Sequence, residues 1–387
     1  MANTAPVVAE REIHDAPDAL TQKATKLAKL IHESKHFIVF TGAGISTSAG
    51  IPDFRGPEGV WTRRAQGRQP TGGISTLQAI PTPTHMALLQ LQNSGILKYT
   101  ISQNCDGLHR RSGILPDNIS ELHGNNNREY CKDCGKEFIR DFRAVATYEK
   151  TVHDHRTGRK CTVCGGDLHD SIINFGESLP GIPLKRAFEH AETADLCLVL
   201  GSSCTVTPAN EIPEIVGARR KAKLAICNLQ KTPLDRMSAV RIHSETDTLM
   251  TKIMEILELP IPKFILQRRL LIKINSQDDS RHEIIVSGVD IDETPVTFLR
   301  SVKLENNRRL VRSEPFNIGF RGDLDAGTEF RFQLEFMGNY GEPILDLVHE
   351  YNDETDAQAL YILDYDPQTG EWTQSQQGRI DISSLSI

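Results

Sequence analysis

Apolar residues recur at alternating helical and strand-like spacing over the first 260 residues. A helical repeat begins at Asp18, and the apolar run 36–41 that follows it ends in glycines, which is typical of a buried parallel strand. The same pattern predicts strands at 98–102, 195–200 and 223–227 and helices at 83–91 (with Thr84 as N-cap), 184–194, 208–217 and 245–257. Strands alternating with helices predict a doubly wound, Rossmann-like α/β fold around a parallel sheet.

The pattern changes after Pro260. Strand-like stretches separated by Gly, Asn, Asp and Pro follow, at 270–274, 283–286, 296–299 and 329–336. The last of them alternates apolar with polar residues, as a half-buried antiparallel strand does. No helix is predicted there, so we expect a C-terminal β-rich domain.

These patterns divide the chain into three parts. We expect a disordered N-terminus over 1–17, an α/β domain over 18–259 and an accessory β-rich domain over 263–387. Within the α/β domain, residues from about 125 to 170 interrupt the alternation and contain all the paired cysteines. That stretch is predicted to be a small inserted module.

Charge distinguishes the C-terminal part from the rest. The 387 residues have a net charge of −7, but residues 260–387 contain 13 Lys+Arg against 22 Asp+Glu, and residues 1–259 contain 31 against 29. The acidic C-terminal domain is therefore not expected to bind nucleic acid directly. No apolar run is long enough to cross a bilayer, and residues 1–19 lack the apolar core of a secretory signal. We therefore expect an intracellular protein without a membrane partner.

Four of the eight cysteines form two Cys-x-x-Cys pairs. Cys131 and Cys134 are separated from Cys161 and Cys164 by 26 residues, and a glycine follows each pair. This spacing is typical of a zinc ribbon with four cysteine ligands. Because four sulfurs fill a tetrahedral site, the zinc is predicted to be structural. The nearby histidines are expected to be surplus to the metal and exposed to solvent; they are His153, His155 and His169.

Polar motifs follow the predicted strands. The string 41–46, Thr-Gly-Ala-Gly-Ile-Ser, could let a pyrophosphate approach the backbone or could form a structural turn. It continues into 50–56, where two opposite charges flank an aromatic residue, a combination that favours function. The string 102–107 offers amide and carboxylate groups to a ribose or a carboxamide, or forms an Asx-turn. Further polar clusters stand at 201–203 and 228–230.

His123 ends a short strand-like run and precedes Gly124. A lone histidine is more often structural than catalytic. However, the carboxyl ends of parallel strands meet at one edge of a sheet, so this side chain is expected to face the same crevice as the other motifs. An imidazole that titrates near neutrality suits a general base.

Together these motifs resemble the sirtuin family over roughly residues 20–258. The strings 56–62, 102–109 and 228–230 together resemble the nuclear, chromatin-associated subgroup called class IV. The resemblance implies an NAD-dependent protein-lysine deacylase with a structural Zn²⁺. It implies that NAD is bound by Gly42, Ala43, Gly44, Thr47, Ile51, Asp53, Phe54, Arg55, Trp61, Gln103, Gly201, Ser202, Ser203, Asn228, Gln230 and Thr246.

The resemblance also implies a mechanism. The acyl-lysine carbonyl oxygen attacks C1′ of the nicotinamide ribose, and nicotinamide leaves. Asn104 and Asp106 hold the carboxamide, and His123 acts as general base on the ribose hydroxyls. The ribose 2′-oxygen then attacks the alkylamidate carbon, and water completes the transfer to give lysine and O-acyl-ADP-ribose. The peptide groove is bordered by Phe175, Gly176 and Glu177.

The implied partner is an acylated lysine protein or peptide, with a histone or another nuclear protein as a candidate. The implied compartment is the nucleus, with the cytoplasm as the alternative. Relatives in the subgroup tend to end in basic tails, whereas this chain ends in an acidic domain. The basic run 219–223 is interpreted as a solvated helix end rather than a nuclear signal.

Two other functions remain open. The same NAD pocket would serve a protein mono-ADP-ribosyltransferase. The zinc ribbon and the C-terminal domain would serve a non-catalytic scaffold, although a scaffold has no need of a general base.

Overall fold

The computed structural model describes residues 10–69, 73–147, 151, 153–278, 280–305, 307–352 and 358–377. The chain divides into two compact units. The first comprises Met1–Arg128, Ala144–Thr157 and His169–Lys263. The second comprises Glu129–Arg143, Gly158–Leu168 and Phe264–Ile387. The sequence pattern places the whole cysteine module with the α/β domain, whereas this division groups its two cysteine-bearing stretches with the C-terminal strands.

The described residues form seven α-helices and nineteen strands. The helices are α1 (Pro17–Glu33), α2 (Val60–Ala65), α3 (Pro83–Asn93), α4 (Leu108–Ser112), α5 (Gly181–Thr193), α6 (Glu211–Ala218) and α7 (Thr246–Ile256). The strands are β1 (Phe37–Thr41), β2 (Leu97–Ser102), β3 (Ile119–Glu121), β4 (Arg128–Cys131), β5 (Glu137–Ile139), β6 (Arg156–Lys160), β7 (Asp167–Asp170), β8 (Leu196–Leu200), β9 (Lys223–Cys227), β10 (Val240–Ile242), β11 (Leu266–Asp278), β12 (Arg281–Gly288), β13 (Leu299–Leu304), β14 (Leu310–Val311), β15 (Phe316–Arg321), β16 (Thr328–Phe336), β17 (Leu345–Tyr351), β18 (Gln358–Asp366) and β19 (Glu371–Gln377).

The first unit is built on a six-stranded sheet of order β10-β9-β8-β1-β2-β3, in which every neighbouring pair is parallel. Apolar clusters pack α1, α3 and α7 with one set of sheet side chains, and α5 and α6 with the other. The predicted doubly wound fold is confirmed. The strand order reverses at β1, so a crevice opens at the carboxyl ends of β1 and β8.

The start of α3 differs from the prediction. Thr82, not Thr84, is the N-cap, and its side chain accepts the backbone N–H of His85. Pro83 explains the difference, because proline favours the first helical position and leaves the preceding residue as the cap. Thr84 instead donates its hydroxyl to Asp247 Oδ1 at 2.5 Å.

The N-terminal segment is more ordered than predicted. The backbone N–H of Ile13 donates to the Leu229 carbonyl at 2.9 Å, and that of Asp15 donates to the His243 carbonyl at 2.8 Å. The prediction of disorder therefore does not hold for residues 10–17, since α1 begins at Pro17. Residues 1–9 lie outside the described part of the chain.

The β-rich prediction for the C-terminal part is confirmed. Two antiparallel sheets, of order β15-β12-β11-β18-β19 and β14-β13-β16-β17, share one apolar core. Strand β16 contributes one face to this core, as its sequence pattern predicted, because buried and more exposed residues alternate along its length. The sequence did not predict β14, β15 or β17–β19, and it placed at 296–299 a strand that begins only at Leu299.

Polar contacts join the cysteine module to the C-terminal strands within the second unit. Arg268 on β11 pairs with Asp141 at 2.7 Å, and both side chains are largely buried. The Asn339 amide donates to the Asp141 carbonyl at 2.7 Å, and Lys136 forms an ion pair with Asp292. These contacts help to hold together a unit that is made of three separate stretches of sequence.

Candidate active site

A cavity of about 360 Å³ lies within the first unit. Residues that follow five different strands line it, as the strand-end motifs predicted. The predicted residues that it brings together are Gly42, Ala43, Gly44, Asp53, Phe54, Arg55, Trp61, Gln103, Asn104, His123, Phe175, Gly176, Glu177, Gly201, Ser202, Ser203, Asn228 and Gln230. Thr47, Ile51 and Thr246 line a second cavity of about 600 Å³, which shares Asp53 and Gln230 with the first.

The glycines after β1 are required by the turn after β8. Gly44 N–H donates to the Gly201 carbonyl at 2.9 Å. A Cβ atom on Gly42 would lie 2.6 Å from the Gly201 oxygen, and one on Gly44 would lie 2.7 Å from the Gly201 Cα. From the sequence, these glycines could serve either a pyrophosphate or a structural turn. The structure shows a more immediate reason, which is the close contact of two turns at the point where the strand order reverses.

His123 is positioned for proton transfer. It follows β3, and its Nδ1 lies 2.8 Å from the Gln103 carbonyl oxygen. A carbonyl can only accept, so Nδ1 carries the proton and Nε2 carries the lone pair. Burial lowers the pKa of His123, although the bond to Gln103 partly opposes this shift. The imidazole is therefore neutral at neutral pH, as a general base must be.

Asn104 and Asp106 lie on the loop after β2, but they differ in accessibility. The Asn104 side-chain N–H donates to the Gly42 carbonyl at 3.0 Å, which leaves the acceptor Oδ1 for a ligand. Asp106 Oδ2 accepts the Ser46 hydroxyl at 2.7 Å, and Oδ1 accepts the Leu108 N–H at 2.9 Å. Asp106 lines neither cavity. Its carboxylate connects the loops after β1 and β2 and caps α4.

Three aromatic side chains form one wall of the cavity. The ring centroids of Phe54 and Trp61 are 4.7 Å apart, and those of Trp61 and Phe175 are 5.8 Å apart. The Arg55 guanidinium stands 4.5 Å from the Trp61 ring centroid. Phe54 and Phe175 are 44% and 54% exposed, and large apolar side chains left exposed around a cavity are typical of a ligand surface. Burial raises the pKa of Asp53 beside this wall.

Histidines near the cysteine module were expected to be exposed, and this is wrong for His155 and His169, which are half-buried. His155 is the clearer case. Its side chain lies between two carboxylates, with Nδ1 2.8 Å from Asp170 Oδ1 and Nε2 3.0 Å from Glu177 Oε1. His153 is exposed, as predicted, and contacts the same Glu177 oxygen at 2.6 Å. The sequence could not show the bridge, because spacings of 15 and 22 residues across the cysteine module follow no helical or strand repeat.

The four paired cysteines come together in the second unit. Their sulfurs all lie within 4.8 Å of one another, with Cys131 3.4 Å from Cys164 and Cys134 3.7 Å from Cys161. Tetrahedral zinc with Zn–S bonds of about 2.3 Å places sulfurs roughly 3.8 Å apart, so the donor set fits zinc. The glycine after each pair is at positive φ, +76° for the first and +77° for the second.

Other lining residues escaped the sequence analysis. They are Cys105, Ile173, Asn174, Leu179, Val206, Thr207 and Pro208. All lie within five positions of a predicted residue, so extending each motif by a few positions finds them. Burial raises the pKa of Cys105 to about 12, and its thiol donates to the His123 carbonyl at 3.2 Å. It is therefore a neutral thiol that helps to orient the histidine backbone.

A doubly wound sheet with a cavity at its switch point defines a nucleotide-binding α/β protein of Rossmann type. The family model described as Sir2 family matches residues 69–208. The NAD-dependent protein deacetylase SRT1 of Arabidopsis thaliana is 44% identical over 344 residues, which cover 82% of this chain and 72% of that protein. The chain belongs to the Sir2 family.

This chain matches a smaller share of other relatives. SRT1 of Oryza sativa subsp. indica is 38% identical over 79% of this chain and 65% of that protein. The NAD-dependent protein deacetylase sirtuin-7 of Homo sapiens is 41% identical over 66% of this chain and 65% of that protein. Since residues 1–263 are about two thirds of the chain, the 82% match to the Arabidopsis protein includes part of the β-rich domain.

Solved structures are similar as well. Sir2Tm bound to a propionylated peptide is 32% identical, covers 62% of this chain and 100% of its own, and has a TM-score of 0.47.

Among the described residues of this chain, no helix is both long enough and apolar enough to span a membrane.

Proposed function

We propose that this chain is an NAD-dependent protein-lysine deacetylase, which transfers an acyl group from a lysine side chain to the ADP-ribose part of NAD, consumes one water and releases nicotinamide. The observation that carries the proposal is the tautomer of His123. Its Nδ1–H donates to the Gln103 carbonyl at 2.8 Å, so Nε2 carries the lone pair that can accept a proton. His123 also lines the cavity. The names of the relatives support the same chemistry.

Each lining group has a role that its contacts allow. NAD supplies the ribose carbon that accepts the acyl oxygen and the nicotinamide that leaves. His123 takes the proton of a ribose hydroxyl, and Asn104 offers Oδ1 to the carboxamide. Asp106 positions the loops around the cavity without lining it, because its carboxylate holds Ser46 and the start of α4.

The remaining side chains bind and shield. Phe54 and Trp61 keep water from the reacting carbon, and Phe175 borders the peptide groove. Gln103 donates to the Ser202 hydroxyl at 2.7 Å, which joins the loop after β2 to the turn after β8 on the side assigned to NAD.

Zinc has a structural role in this proposal. Cys131, Cys134, Cys161 and Cys164 would hold Zn²⁺ as four thiolates. With no position left for water or substrate, the metal stabilises its module and takes no part in the reaction.

The test is the release of nicotinamide from NAD in the presence and absence of an acetyl-lysine peptide. We expect release only with the peptide, and a loss of about 10²- to 10⁴-fold in His123→Ala, the usual contribution of a general base. His32→Ala is the matched control, because His32 is an exposed histidine on α1. Unchanged turnover in His123→Ala would refute the proposal.

Mass analysis of the products separates the alternatives. O-acetyl-ADP-ribose and deacetylated peptide support a deacetylase, whereas ADP-ribose attached to protein indicates a mono-ADP-ribosyltransferase. Zinc binding without any NAD consumption indicates a scaffold. A panel of acetyl, succinyl and longer acyl peptides then defines the acyl group.

We also propose that the acylated partner is a nuclear protein, with histone peptides the first to test. The acidic C-terminal domain is not proposed to bind nucleic acid. Arg219 belongs to the basic run 219–223, but it donates to the carbonyls of Ala191 and Ala194, both at 2.6 Å, at the end of α5. This supports a structural use of that residue. Fluorescence microscopy of the tagged protein tests the compartment, and exclusion from the nucleus would refute that part.

A further inference from the structure

The segment after β7 forms the wall assigned to the peptide. Five consecutive residues, 173–177, line the cavity. The segment is folded back on itself, because Glu177 Oε2 accepts the Asn174 N–H at 2.7 Å and Glu177 N–H donates to the Asn174 carbonyl at 3.0 Å. The position of the Glu177 carboxylate therefore sets the shape of this wall.

His155 connects that carboxylate to the sheet of the cysteine module. Its Nδ1 faces Asp170 Oδ1, at the end of β7, and its Nε2 faces Glu177 Oε1. The Asp170 carboxylate is fixed in turn, since Oδ1 accepts the Ile172 N–H at 3.1 Å and Oδ2 accepts the Ala146 N–H at 2.6 Å. Asp170 is 2% exposed, so it is a rigid anchor.

This geometry determines the protonation state of His155. A carboxylate only accepts hydrogen bonds, so both ring nitrogens must donate, and only the imidazolium has two N–H groups. A neutral ring would direct a lone pair at one of the two carboxylates.

The surroundings agree with this assignment. Among the residues that the structure describes, the charged and titratable groups facing the ring are the carboxylates of Asp170 and Glu177, and His153 faces Glu177 from the same segment as His155. Burial lowers the pKa of His155, but the hydrogen bonds and charges of the two carboxylates outweigh it and raise the pKa above the ordinary value of 6.5. The pKa of Glu177 falls to about 2, because the contacts with His153, Asn174 and His155 outweigh its burial.

We infer that His155 is a positioning residue: its protonated ring holds Glu177, and with it the peptide wall, against Asp170, and the wall loosens when the ring loses its proton. The effect on peptide rests on the proposed function. The bridge is complete at pH values below the pKa of His155 and is lost as pH rises through it. Peptide binding should therefore weaken with rising pH, while NAD binding does not.

The kinetic test compares wild type with His155→Gln, and with His32→Gln as the matched exposed-histidine control. Glutamine can donate to one carboxylate but carries no charge. At pH 6 we expect the KM for an acetyl-lysine peptide to rise about tenfold in His155→Gln, the effect of one lost charge-assisted hydrogen bond. The KM for NAD should stay constant.

The pH profile gives a second kinetic criterion. In wild type and His32→Gln, the peptide KM should rise with pH and approach that of His155→Gln, whose own profile should be flat. A profile in His155→Gln that parallels wild type overturns the inference, and so does an equal rise in the KM for NAD.

A third measurement does not depend on the reaction. Amide hydrogen exchange at 172–177, corrected for the intrinsic rate at each pH, should be faster in His155→Gln at pH 6 and should converge with wild type at high pH. If wild type releases no nicotinamide, the proposed function fails while exchange still decides on the bridge. Equal exchange in the two proteins at pH 6 overturns the inference even where the deacetylase reaction is present.

Discussion

Two histidines are buried where α3 and α4 meet. His85 is fully buried and His109 is 2% exposed, and their ring centroids are 4.8 Å apart. His85 Nδ1 lies 2.8 Å from the Thr82 hydroxyl. Burial, assisted by the charge of Arg111, lowers the pKa of His85 to about 3. The folded protein therefore keeps this ring neutral at pH values where the unfolded chain protonates it.

As a consequence, the free energy of unfolding should decrease as the pH is lowered. The unfolded histidine titrates near 6.5, so between that pH and the folded pKa the unfolded state binds one more proton. The contribution is fully present above pH 6.5 and decreases by about 1.4 kcal/mol per pH unit below it. Between pH 7 and pH 5, His85 alone should reduce the free energy of unfolding by ~2 kcal/mol.

The assay is urea unfolding at pH 7 and pH 5 for wild type, His85→Gln and the exposed control His32→Gln. A Trp372→Phe background leaves Trp61 as the only tryptophan, so its fluorescence reports on the first unit. His85→Gln should be less stable at pH 7, because it loses buried contacts, but its stability should fall by ~2 kcal/mol less on going to pH 5. Equal losses in His85→Gln and wild type would refute the reasoning.

Four further outcomes are expected. Cys161→Ser should lower zinc content, measured by atomic absorption, and melt the cysteine module. Gly124→Ala should lower Tm more than Gly67→Ala, because its Cβ would lie 1.9 Å from a backbone oxygen while that of Gly67 meets nothing within 4 Å. Arg268→Ala should cost about 3 kcal/mol in urea unfolding, because it leaves a buried carboxylate without its cation. Turnover should persist at pH 6.5 and fall only below it, since burial keeps His123 neutral there; an acid limb above pH 6.5 would contradict this.

Local patterns predicted the features that depend on neighbours in sequence. The fully apolar β1 and β8 indicated a buried parallel sheet, and the topology of such a sheet then brought their terminal motifs to one edge. Short elements were missed, because α2 and α4 have six and five residues and show too little periodicity. The predicted Thr84 cap is wrong because Pro83 occupies the first helical position and leaves Thr82 as the cap.

Distant pairs were beyond the sequence. Nothing local to His155 indicates that Asp170 and Glu177 lie on either side of its ring. Likewise, the string 141–146 gives no sign that Asp141 pairs with β11. Such contacts depend on the completed fold. Patterns of spacing therefore predict which segments line the cavity, but they do not predict the side-chain contacts that hold those segments in place.

The pairing of Arg268 with Asp141 bears on how the protein is shortened for experiments. The change of pattern at Pro260 suggests a natural place to cut, yet a fragment ending there would keep the Asp141 carboxylate and lose its cation and the Asn339 amide. Such a fragment would carry a damaged cysteine module. A loss of activity in that fragment would then result from the damaged module rather than from missing regulation by the acidic domain. Point variants on β11 that keep Arg268 test the role of the acidic domain without removing these contacts.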